Sequence, residues 1–339
     1  MGDPTFPWPP GSATGTGAYP GGDVREALRV VLGELPDLPH LPELPARGTA
    51  AEPLGRTAAL LVDLPVELLP SGWRLAERPG HDLVVARDLL AGDLDVLEEL
   101  AGAYAGPFKI QAAGPWTLAS GVELRRGDKM LADGGAVRDL VASLAEGLAG
   151  HVADVRRRVP GADVVLQLDE PALPRILAGR VPSASGLRAL RAVEETEAAA
   201  QLVRVVEAVS SVPACCAIHC CARDAPVGLF NEVGVRAISV DTGVLSTASD
   251  DALGAALEAG LGLFLGVVPS DGLVTDAGLP TAGEAADTAR GLLRRLGLAS
   301  DEVAASVVLT PGCGLAAASP SYARAAIARC REAARLLAA

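Results

Sequence analysis

The sequence predicts an α/β protein whose single domain is a (β/α)8 TIM barrel. Short β-branched runs alternate along the chain with Ala-, Leu-, Arg- and Glu-rich segments of helical period. The unusual polar residues lie where the predicted strands end, and a barrel of this kind has its active site at that face. An open doubly wound sheet is the alternative, but the sequence shows no Gly-x-Gly-x-x-Gly turn between a strand and a helix.

One domain is predicted over residues 1–339, and an irregular Pro- and Gly-rich segment occupies about residues 1–22. The β-branched runs give eight candidate strands, which is the number that closes a barrel of this class. The predicted strands are residues 12–17, 57–64, 108–113, 163–169, 214–219, 236–241, 262–268 and 306–310.

Amphipathic helices are predicted between these strands from their 3.6-residue hydrophobic period. Asp23, Asp250 and Ser319 stand at the starts of three of them and have the side chains that cap helix N-termini. The predicted helices are residues 23–35, 136–159, 194–210, 250–259, 284–296 and 319–337.

Charge and cysteine content narrow the possible functions. The net charge of −13 repels nucleic acid backbones and anionic lipid surfaces, so we expect neither nucleic acid nor membrane as a partner. The chain start lacks a basic segment followed by an apolar run, and no long apolar stretch occurs, which predicts a soluble cytoplasmic protein. Four of the six cysteines crowd into residues 215–221, too close together to cross-link a scaffold, and we expect reduced thiols.

A catalytic zinc site is predicted from residues that are far apart in sequence. His219 and Cys221 are two residues apart at a strand end, so both side chains can point to the same side. Cys313 follows the last strand between two glycines, which allow a tight turn that aims its sulfur inward. Zn2+ takes nitrogen and sulfur ligands, and three protein ligands leave one position open for a substrate. Asp241, at the end of another strand, is a candidate fourth ligand that an incoming thiol displaces.

Two other interpretations of these residues stay open. A closed structural zinc site would recruit Cys216 or Cys220, although structural ligands usually come in short-spaced pairs on loops. Buried free cysteines are also commonly small hydrophobic residues without a function, which is our interpretation of Cys215, Cys216 and Cys330.

A substrate pocket is predicted beside the metal. Asp169 ends a strand in Gln-Leu-Asp-Glu-Pro-Ala-Leu and is placed to bind an ammonium group, although it is also a possible helix cap. Trp116, in Gly-Pro-Trp-Thr after another strand, is predicted to form an aromatic wall of the pocket or to pack on the core.

Taken in order, these motifs resemble the catalytic barrel of the cobalamin-independent methionine synthase family over nearly the whole chain. Thr16-Gly17-Ala18-Tyr19-Pro20 is similar to the family's Ile-Gly-Ser-hydrophobic-Pro turn, and the resemblance implies that Gly17 and Ala18 hold the substrate carboxylate. The segment around Asp169 looks like the family's Gln-Ile-Asp-Glu-Pro-Ala-Leu, which implies a grip on the substrate amine. The zinc-bearing motifs are matched by His219-Cys220-Cys221, Val240-Asp241-Thr242 and Gly312-Cys313-Gly314.

The resemblance implies zinc-dependent methyl transfer to a small thiol, homocysteine, to give methionine. The sequence departs from the family in that Ala18 replaces a serine, Asp241 replaces a glutamate, and residues 62–73 lack its acidic His-Gly-Glu-like loop. No histidine follows His219, so the family's usual proton donor is missing.

The methyl donor is therefore expected to differ from the family's folate. A methyl group leaves methyltetrahydrofolate only with protonation of the amine, whereas cobalt in a corrinoid leaves without an acid. We also expect the protein to lack the family's N-terminal half, like short relatives that take methyl from a corrinoid protein. We expect a non-folate donor such as a methylcorrinoid. The alternatives are transfer to another thiol, such as coenzyme M, and a non-catalytic zinc-binding barrel.

Overall fold

The computed structural model describes residues 6–270, 278–298 and 305–339. Its central feature is a parallel sheet in which neighbouring strands follow one another in sequence, and a separate two-stranded hairpin lies outside that sheet. The hairpin consists of β1 (Val66–Leu69) and β2 (Gly72–Leu75), and the sheet consists of β3 (Ala105–Ala113), β4 (Gly161–Asp169), β5 (Ala214–Cys220), β6 (Ala237–Asp241), β7 (Gly262–Val268) and β8 (Val307–Pro311).

Helices alternate with these strands, as the sequence predicts. Proline occupies the first helical turn of several of them, where its missing N–H costs nothing. The helices are α1 (Val24–Glu34), α2 (Pro53–Ala58), α3 (His81–Ala101), α4 (Pro115–Gly121), α5 (Gly134–Arg158), α6 (Leu173–Leu177), α7 (Glu195–Ser210), α8 (Val227–Glu232), α9 (Asp250–Glu258), α10 (Ala282–Arg295) and α11 (Pro320–Ala338).

The six parallel strands confirm the α/β class, and two further segments lie between the edges of the sheet. The predicted strand at 12–17 is joined to β8 by one isolated parallel bridge, from Ala13 to Leu309. A segment that the sequence does not predict as extended bridges from His40 to Lys109 on β3. The two segments are joined to each other by hydrogen bonds from Glu43 N to Gly17 O and from Tyr19 N to Glu43 O. Isolated bridges, rather than two more regular strands, therefore connect the sheet edges.

The predicted strand at 57–64 is wrong. Residues Pro53–Ala58 form helix α2, and the apolar run that follows is a turn. The periodicity of a short apolar run does not distinguish a strand from a buried helix. Here Pro53, in the first turn, favours the start of a helix.

The six predicted helices are confirmed to within two residues at their ends. The Asp23 side chain accepts hydrogen bonds from Arg25 N and Glu26 N, and Ser319 accepts one from Tyr322 N, which confirms both caps. The predicted Asp250 cap is wrong, because Asp250 is already inside α9 and its carboxylate pairs with Arg295 on α10 instead.

The N-terminal segment is irregular but contributes to the core. Trp8 is buried, stacks on Phe6 and meets the edge of Phe264 from β7 at 5.0 Å between ring centroids. The same small cluster contains inward-facing residues of four more sheet strands and plugs the amino-terminal end of the sheet. The reactive polar side chains therefore lie at the opposite, carboxyl-terminal end of the sheet. Within the described residues, no helix combines the length and hydropathy that crossing a bilayer requires.

Two glycines of α5 give a matched test of this packing. A Cβ at Gly147 would overlap the Leu60 carbonyl oxygen, whereas a Cβ at Gly150 would meet nothing within 4 Å. We expect Gly147→Ala to lower the free energy of unfolding by about 1–3 kcal/mol through overpacking. Gly150→Ala should raise it by about 0.5–1 kcal/mol because alanine is the better helix former. Urea denaturation measures both values, and equal effects of the two substitutions would contradict the packing described here.

Candidate metal centre and substrate cavity

Three of the predicted metal ligands converge at the carboxyl-terminal end of the sheet. His219 lies near the end of β5, Cys221 follows that strand, and Cys313 follows β8. One ligand atom from each lies within 4.8 Å of the others. Cys313 Sγ is 3.9 Å from His219 Nε2. The structure therefore brings together residues that are separated by up to 94 positions in sequence.

Strand register orients the histidine of this cluster. His219 lies opposite Asp169 of β4 on one side and Ser239 of β6 on the other. Ser239 Oγ is 2.9 Å from His219 Nδ1, which leaves Nε2 directed toward the cysteines. Histidines that bind metals usually have such a partner on the second ring nitrogen, since it fixes the tautomer and the ring orientation.

The glycines around Cys313 are needed because the chain packs closely there. A Cβ at Gly312 would lie 2.8 Å from Asp241 Cγ, and one at Gly314 would lie 2.9 Å from Ala18 Cβ. Any larger residue at either position would displace the turn that presents the Cys313 sulfur.

Cys221 and Cys313 have opposite pKa shifts, so the thiol proton resides on Cys221 and Cys313 is the thiolate. A hydrogen bond from the Cys221 thiol, another from His219 and one from Gly314 N lower the pKa of Cys313 to about 4. The same hydrogen bond, together with burial, raises the pKa of Cys221. Burial lowers the pKa of His219, but the bond to Cys313 and the charge of Asp169 more than offset this. A thiolate beside a thiol and an imidazole is a donor set that a cation completes.

The donor set fits a tetrahedral metal. Ligand atoms around a tetrahedral zinc ion are about 3.5–3.8 Å apart, given the usual Zn–S and Zn–N lengths, and the Cys313–His219 separation is close to this. The three ligands that converge among the described residues leave a fourth position free. Cys216 and Cys220, the extra ligands of a closed site, are buried among the apolar side chains of the core and are not part of the cluster.

Asp241 lies close by but is not among the converging ligand atoms. One of its carboxylate oxygens accepts a hydrogen bond from Gly243 N at 2.8 Å, and its carboxylate packs beside Gly312. The residue lines a separate cavity between the ends of β6 and β7. Its role as a fourth ligand stays a prediction.

A cavity of about 170 Å³ opens directly beside the cluster, and its lining includes His219, Cys221 and Cys313. Part of its wall is apolar and contains Pro53 and Leu54 from the start of α2. The cavity therefore combines an apolar wall at Pro53 and Leu54 with reactive groups at the strand ends.

Asp169 lies in this cavity, as the sequence predicts. Gln167 Nε2 donates hydrogen bonds to Asp169 Oδ1 and to Thr16 O, each of 2.7 Å, and so fixes the carboxylate. Burial raises the pKa of Asp169 to about 6, although His219 and Gln167 oppose the shift. At neutral pH the group is a buried carboxylate, which is suited to an ammonium ligand.

Glu43 is a second buried acid in the cavity, and sequence reasoning missed it. It lies in the proline-rich stretch that follows α1, which has the composition of a plain loop. Burial raises the pKa of Glu43 to about 7, and Arg56 opposes this shift. The only signal in the sequence is a single glutamate between Pro42 and Pro45. This draws attention to the position but does not indicate a role for the side chain. The cavity therefore contains a carboxylate from residues 36–45, although residues 62–73 lack the family's acidic loop.

The turn at Gly17 and Ala18 reaches the same cavity. Gly17 has a φ of +137°, and a Cβ there would lie 2.7 Å from Gln111 Cγ, so the position requires glycine. Ala18 lines the cavity together with Thr16. The turn is therefore placed where it could contact a ligand of the cavity.

Trp116 lines a different cavity, of about 420 Å³, beside the start of α5. Its ring is buried and its Nε1 donates to Ala198 O of α7. Thr117, the next residue in the first turn of α4, lines the cavity beside the His/Cys/Cys cluster. Glu170 accepts hydrogen bonds from Trp116 N, from Thr117 N and from the Thr117 hydroxyl, and it thereby holds the start of α4 in place.

Fold and site together define a class: an α/β protein with a curled parallel sheet and a His/Cys/Cys centre at its carboxyl-terminal edge. A family model described as "Cobalamin-independent synthase, Catalytic domain" matches residues 99–336. The chain belongs to this family, which confirms the resemblance seen in the sequence. A search of curated proteins found no match to the chain.

One solved structure supports the fold. A B12-independent methionine synthase from Shewanella sp. W3-18-1, in complex with selenomethionine, superposes with a TM-score of 0.60 at 13% identity over 96% of this chain and 97% of that chain. The carboxyl transferase domain of Rhizobium etli pyruvate carboxylase shows a much weaker likeness, with a TM-score of 0.28 at 13% identity over 71% of this chain and 43% of that chain.

The lowered pKa of Cys313 predicts that this cysteine is alkylated selectively in metal-free protein. We expect iodoacetamide to label Cys313 before any other cysteine, because its hydrogen bonds to Cys221 and His219 lower its pKa and favour the thiolate. Cys215, whose burial raises its pKa to about 11, is the internal control and should stay unlabelled. Peptide mass spectrometry over time measures the order, and earlier labelling of Cys221 or Cys215 would contradict it.

Proposed function

We propose that this protein is a zinc-dependent methyltransferase that methylates the thiol of an amino acid, homocysteine, to give methionine. The observation that carries the proposal is one cavity that contains both a His/Cys/Cys cluster and two buried carboxylates. The first feature suits a thiol and the second suits an ammonium group, and homocysteine has both. Family membership supports the same reaction.

Each group in the cavity has a distinct role in this proposal. His219, Cys221 and Cys313 would hold the zinc ion, which supplies acidity that makes a bound thiol a thiolate at neutral pH. Asp169 and Glu43 bind the substrate ammonium, and the turn at Gly17 and Ala18 receives its carboxylate.

Asp241 is retained in the proposal as a fourth metal ligand that the substrate thiol displaces. Its carboxylate packs against Gly312, next to Cys313, so a modest rotation would change its distance from the cluster. Such a ligand would hold the fourth position until the thiol arrives.

The methyl donor in this proposal is a non-folate compound such as a methylcorrinoid, free or on a corrinoid protein. The thiol loses its proton, its sulfur forms a bond to the methyl carbon, and the cobalt–carbon bond breaks with its electron pair left on cobalt. No acid is needed for that leaving group, and the chain has no histidine beyond His219 to serve as one. The apolar wall at Pro53 and Leu54 suits contact with the hydrocarbon part of a corrin ring.

Two other functions are less well supported. Coenzyme M or a similar thiol has no ammonium group to pair with Glu43 and Asp169. A non-catalytic zinc site would have four protein ligands, whereas three converge in the part of the chain that the structure describes. A thiolate centre works best where thiols stay reduced, which is in keeping with a cytoplasmic location. We also propose that the chain is one domain and that its isolated bridges close an eight-stranded barrel.

Zinc content tests the metal centre. We expect about one zinc ion per wild-type chain and its loss in Cys221→Ser and in Cys313→Ser, since each removes one of three ligands. Cys220→Ser is the matched control, because its sulfur faces the apolar core, and it should keep the zinc. Elemental analysis of the zinc-loaded proteins gives the answer, and retention by both ligand variants would refute the assignment.

The preference between methyl donors tests the hypothesis that the site has no general acid for a folate leaving group. With homocysteine as acceptor, we expect methylcobalamin to be used about 10²–10⁴-fold faster than methyltetrahydrofolate, the range that a general acid usually contributes. Methionine formation from each donor is followed by mass spectrometry on the same zinc-loaded sample. Faster transfer from the folate would show that another group supplies the proton.

A further inference from the structure

A chain of ion pairs leads from Arg47 to Glu43. Arg47 forms two hydrogen bonds to Asp93, of 2.7 and 2.8 Å. Arg56 Nη1 pairs with the same carboxylate, and Arg56 Nε lies 3.6 Å from Glu43 Oε1. Asp93, on α3, thus holds two guanidinium groups, and one of them reaches on to Glu43.

The part of this chain nearest the cavity lies almost entirely out of water. The residues Glu43, Arg56 and Asp93 are 2%, 5% and 1% exposed. Burying ions costs more than their attraction usually returns, and apolar residues of similar size often serve stability better. Within the described part of the chain, moreover, Nη2 of Arg56 is buried without a hydrogen-bond partner.

The charge of Glu43 depends on the groups around it. Burial raises its pKa to about 7, and among the opposing influences Arg56 comes first. Asp169 raises the pKa further, while Lys109 and a hydrogen bond from Gln111 lower it. Lys109 is itself fully buried, and burial lowers its own pKa to about 8, so Arg56 is the cation that stays charged throughout the neutral range.

Backbone contacts fix the other side of Glu43. Its N–H donates to Gly17 O at 3.0 Å and its carbonyl accepts from Tyr19 N at 2.8 Å. A Cβ at Gly17 would lie 3.2 Å from Glu43 Oε2, so that oxygen faces the substrate turn while Oε1 faces Arg56. Rotation of the carboxylate away from this position would weaken its attraction to the guanidinium.

We propose that Arg56, held by Asp93, is a positioning residue that keeps the Glu43 carboxylate charged and aimed into the cavity, and so sets the preference for amine-bearing ligands. The inference rests on the proposed function, because it needs an amino-acid ligand in this cavity. Arg56 acts through Glu43, which lines the cavity.

Arg47 provides a matched control. It pairs with the same Asp93, and its hydrogen bonds go to Asp93 and to Leu44 O rather than to Glu43. Removal of either arginine takes one cation from Asp93, whereas removal of Arg56 also takes a cation from Glu43.

Calorimetric titration separates the possibilities without requiring turnover. Full-length wild type, Arg56→Met and Arg47→Met are each titrated with L-methionine and with 4-(methylthio)butanoate, the same molecule without its amine. The ratio of the two dissociation constants measures amine preference. We expect the preference to fall about tenfold or more in Arg56→Met and to change less than about threefold in Arg47→Met, as for loss of a buried charge partner.

The pH profile adds a readout that a merely structural role would not move. In wild type the amine preference should rise as pH increases through about 7, where Glu43 ionises. In Arg56→Met the rise should move to higher pH, because the neutral form of Glu43 is then favoured more strongly. If Arg56→Met does not fold, Arg56→Lys keeps the charge beside Asp93 with a poorer reach to Glu43, and it should show a smaller loss in the same direction.

The outcomes separate the two claims. Wild type that binds neither ligand, or shows no amine preference, would contradict the proposed function and the inference with it. Wild type with a clear amine preference that Arg56→Met or Arg56→Lys retains, at an unchanged pH profile, would overturn the inference alone.

Discussion

In-register parallel pairing of β4, β5 and β6 determines where the reactive groups lie. The pairing sets Asp169 beside His219 and His219 beside Ser239, so one row across three strands supplies a carboxylate, an imidazole and a hydroxyl. A slip of one residue on β5 would turn His219 to the outer face and bring Cys220 inward. The apolar plug around Trp8 at the other end of the sheet favours this register, because it buries residues of the same inward face of these strands.

The site concentrates charge in a place that water reaches poorly, and most of its contacts reduce that cost. Gln167 holds Asp169, Glu170 holds the start of α4 at Thr117, and Arg56 faces Glu43. The acids nevertheless keep raised pKa values, and Cys313 has a lowered one. Buried groups whose charged form is unfavourable gain the most from ligands of opposite charge, and this is the physical basis for proposing a cation at the cysteines and an ammonium group at the acids.

The sequence is informative where chemistry follows local rules. Helix periods and caps locate six of the described helices but miss others, including the long α3, and strand alternation places His219 and Cys221 on one side. Cys313 stands out because its flanking glycines mark a turn at a strand end. Parallel sheets gather such ends at one edge, so residues far apart in sequence can be grouped from the sequence alone.

The wrong and missing predictions have a common cause in tertiary contacts. Glu43 and Arg56 lie in segments without a regular period, and their pairing depends on α2 and α3 packing together. Trp116 is on the predicted loop, but the bond to Ala198 O turns its ring toward another cavity. The apolar run at 57–64 has no period that distinguishes strand from helix, and Pro53 decides its structure.

The central claim is that the metal centre has an open position which an amino-acid thiol occupies. Zinc K-edge X-ray absorption on zinc-loaded protein, before and after addition of homocysteine, tests it directly. We predict two sulfur neighbours at about 2.3 Å before addition and three afterwards, at the expense of a nitrogen or oxygen neighbour. An unchanged spectrum at saturating homocysteine would contradict the claim and would indicate a closed metal site.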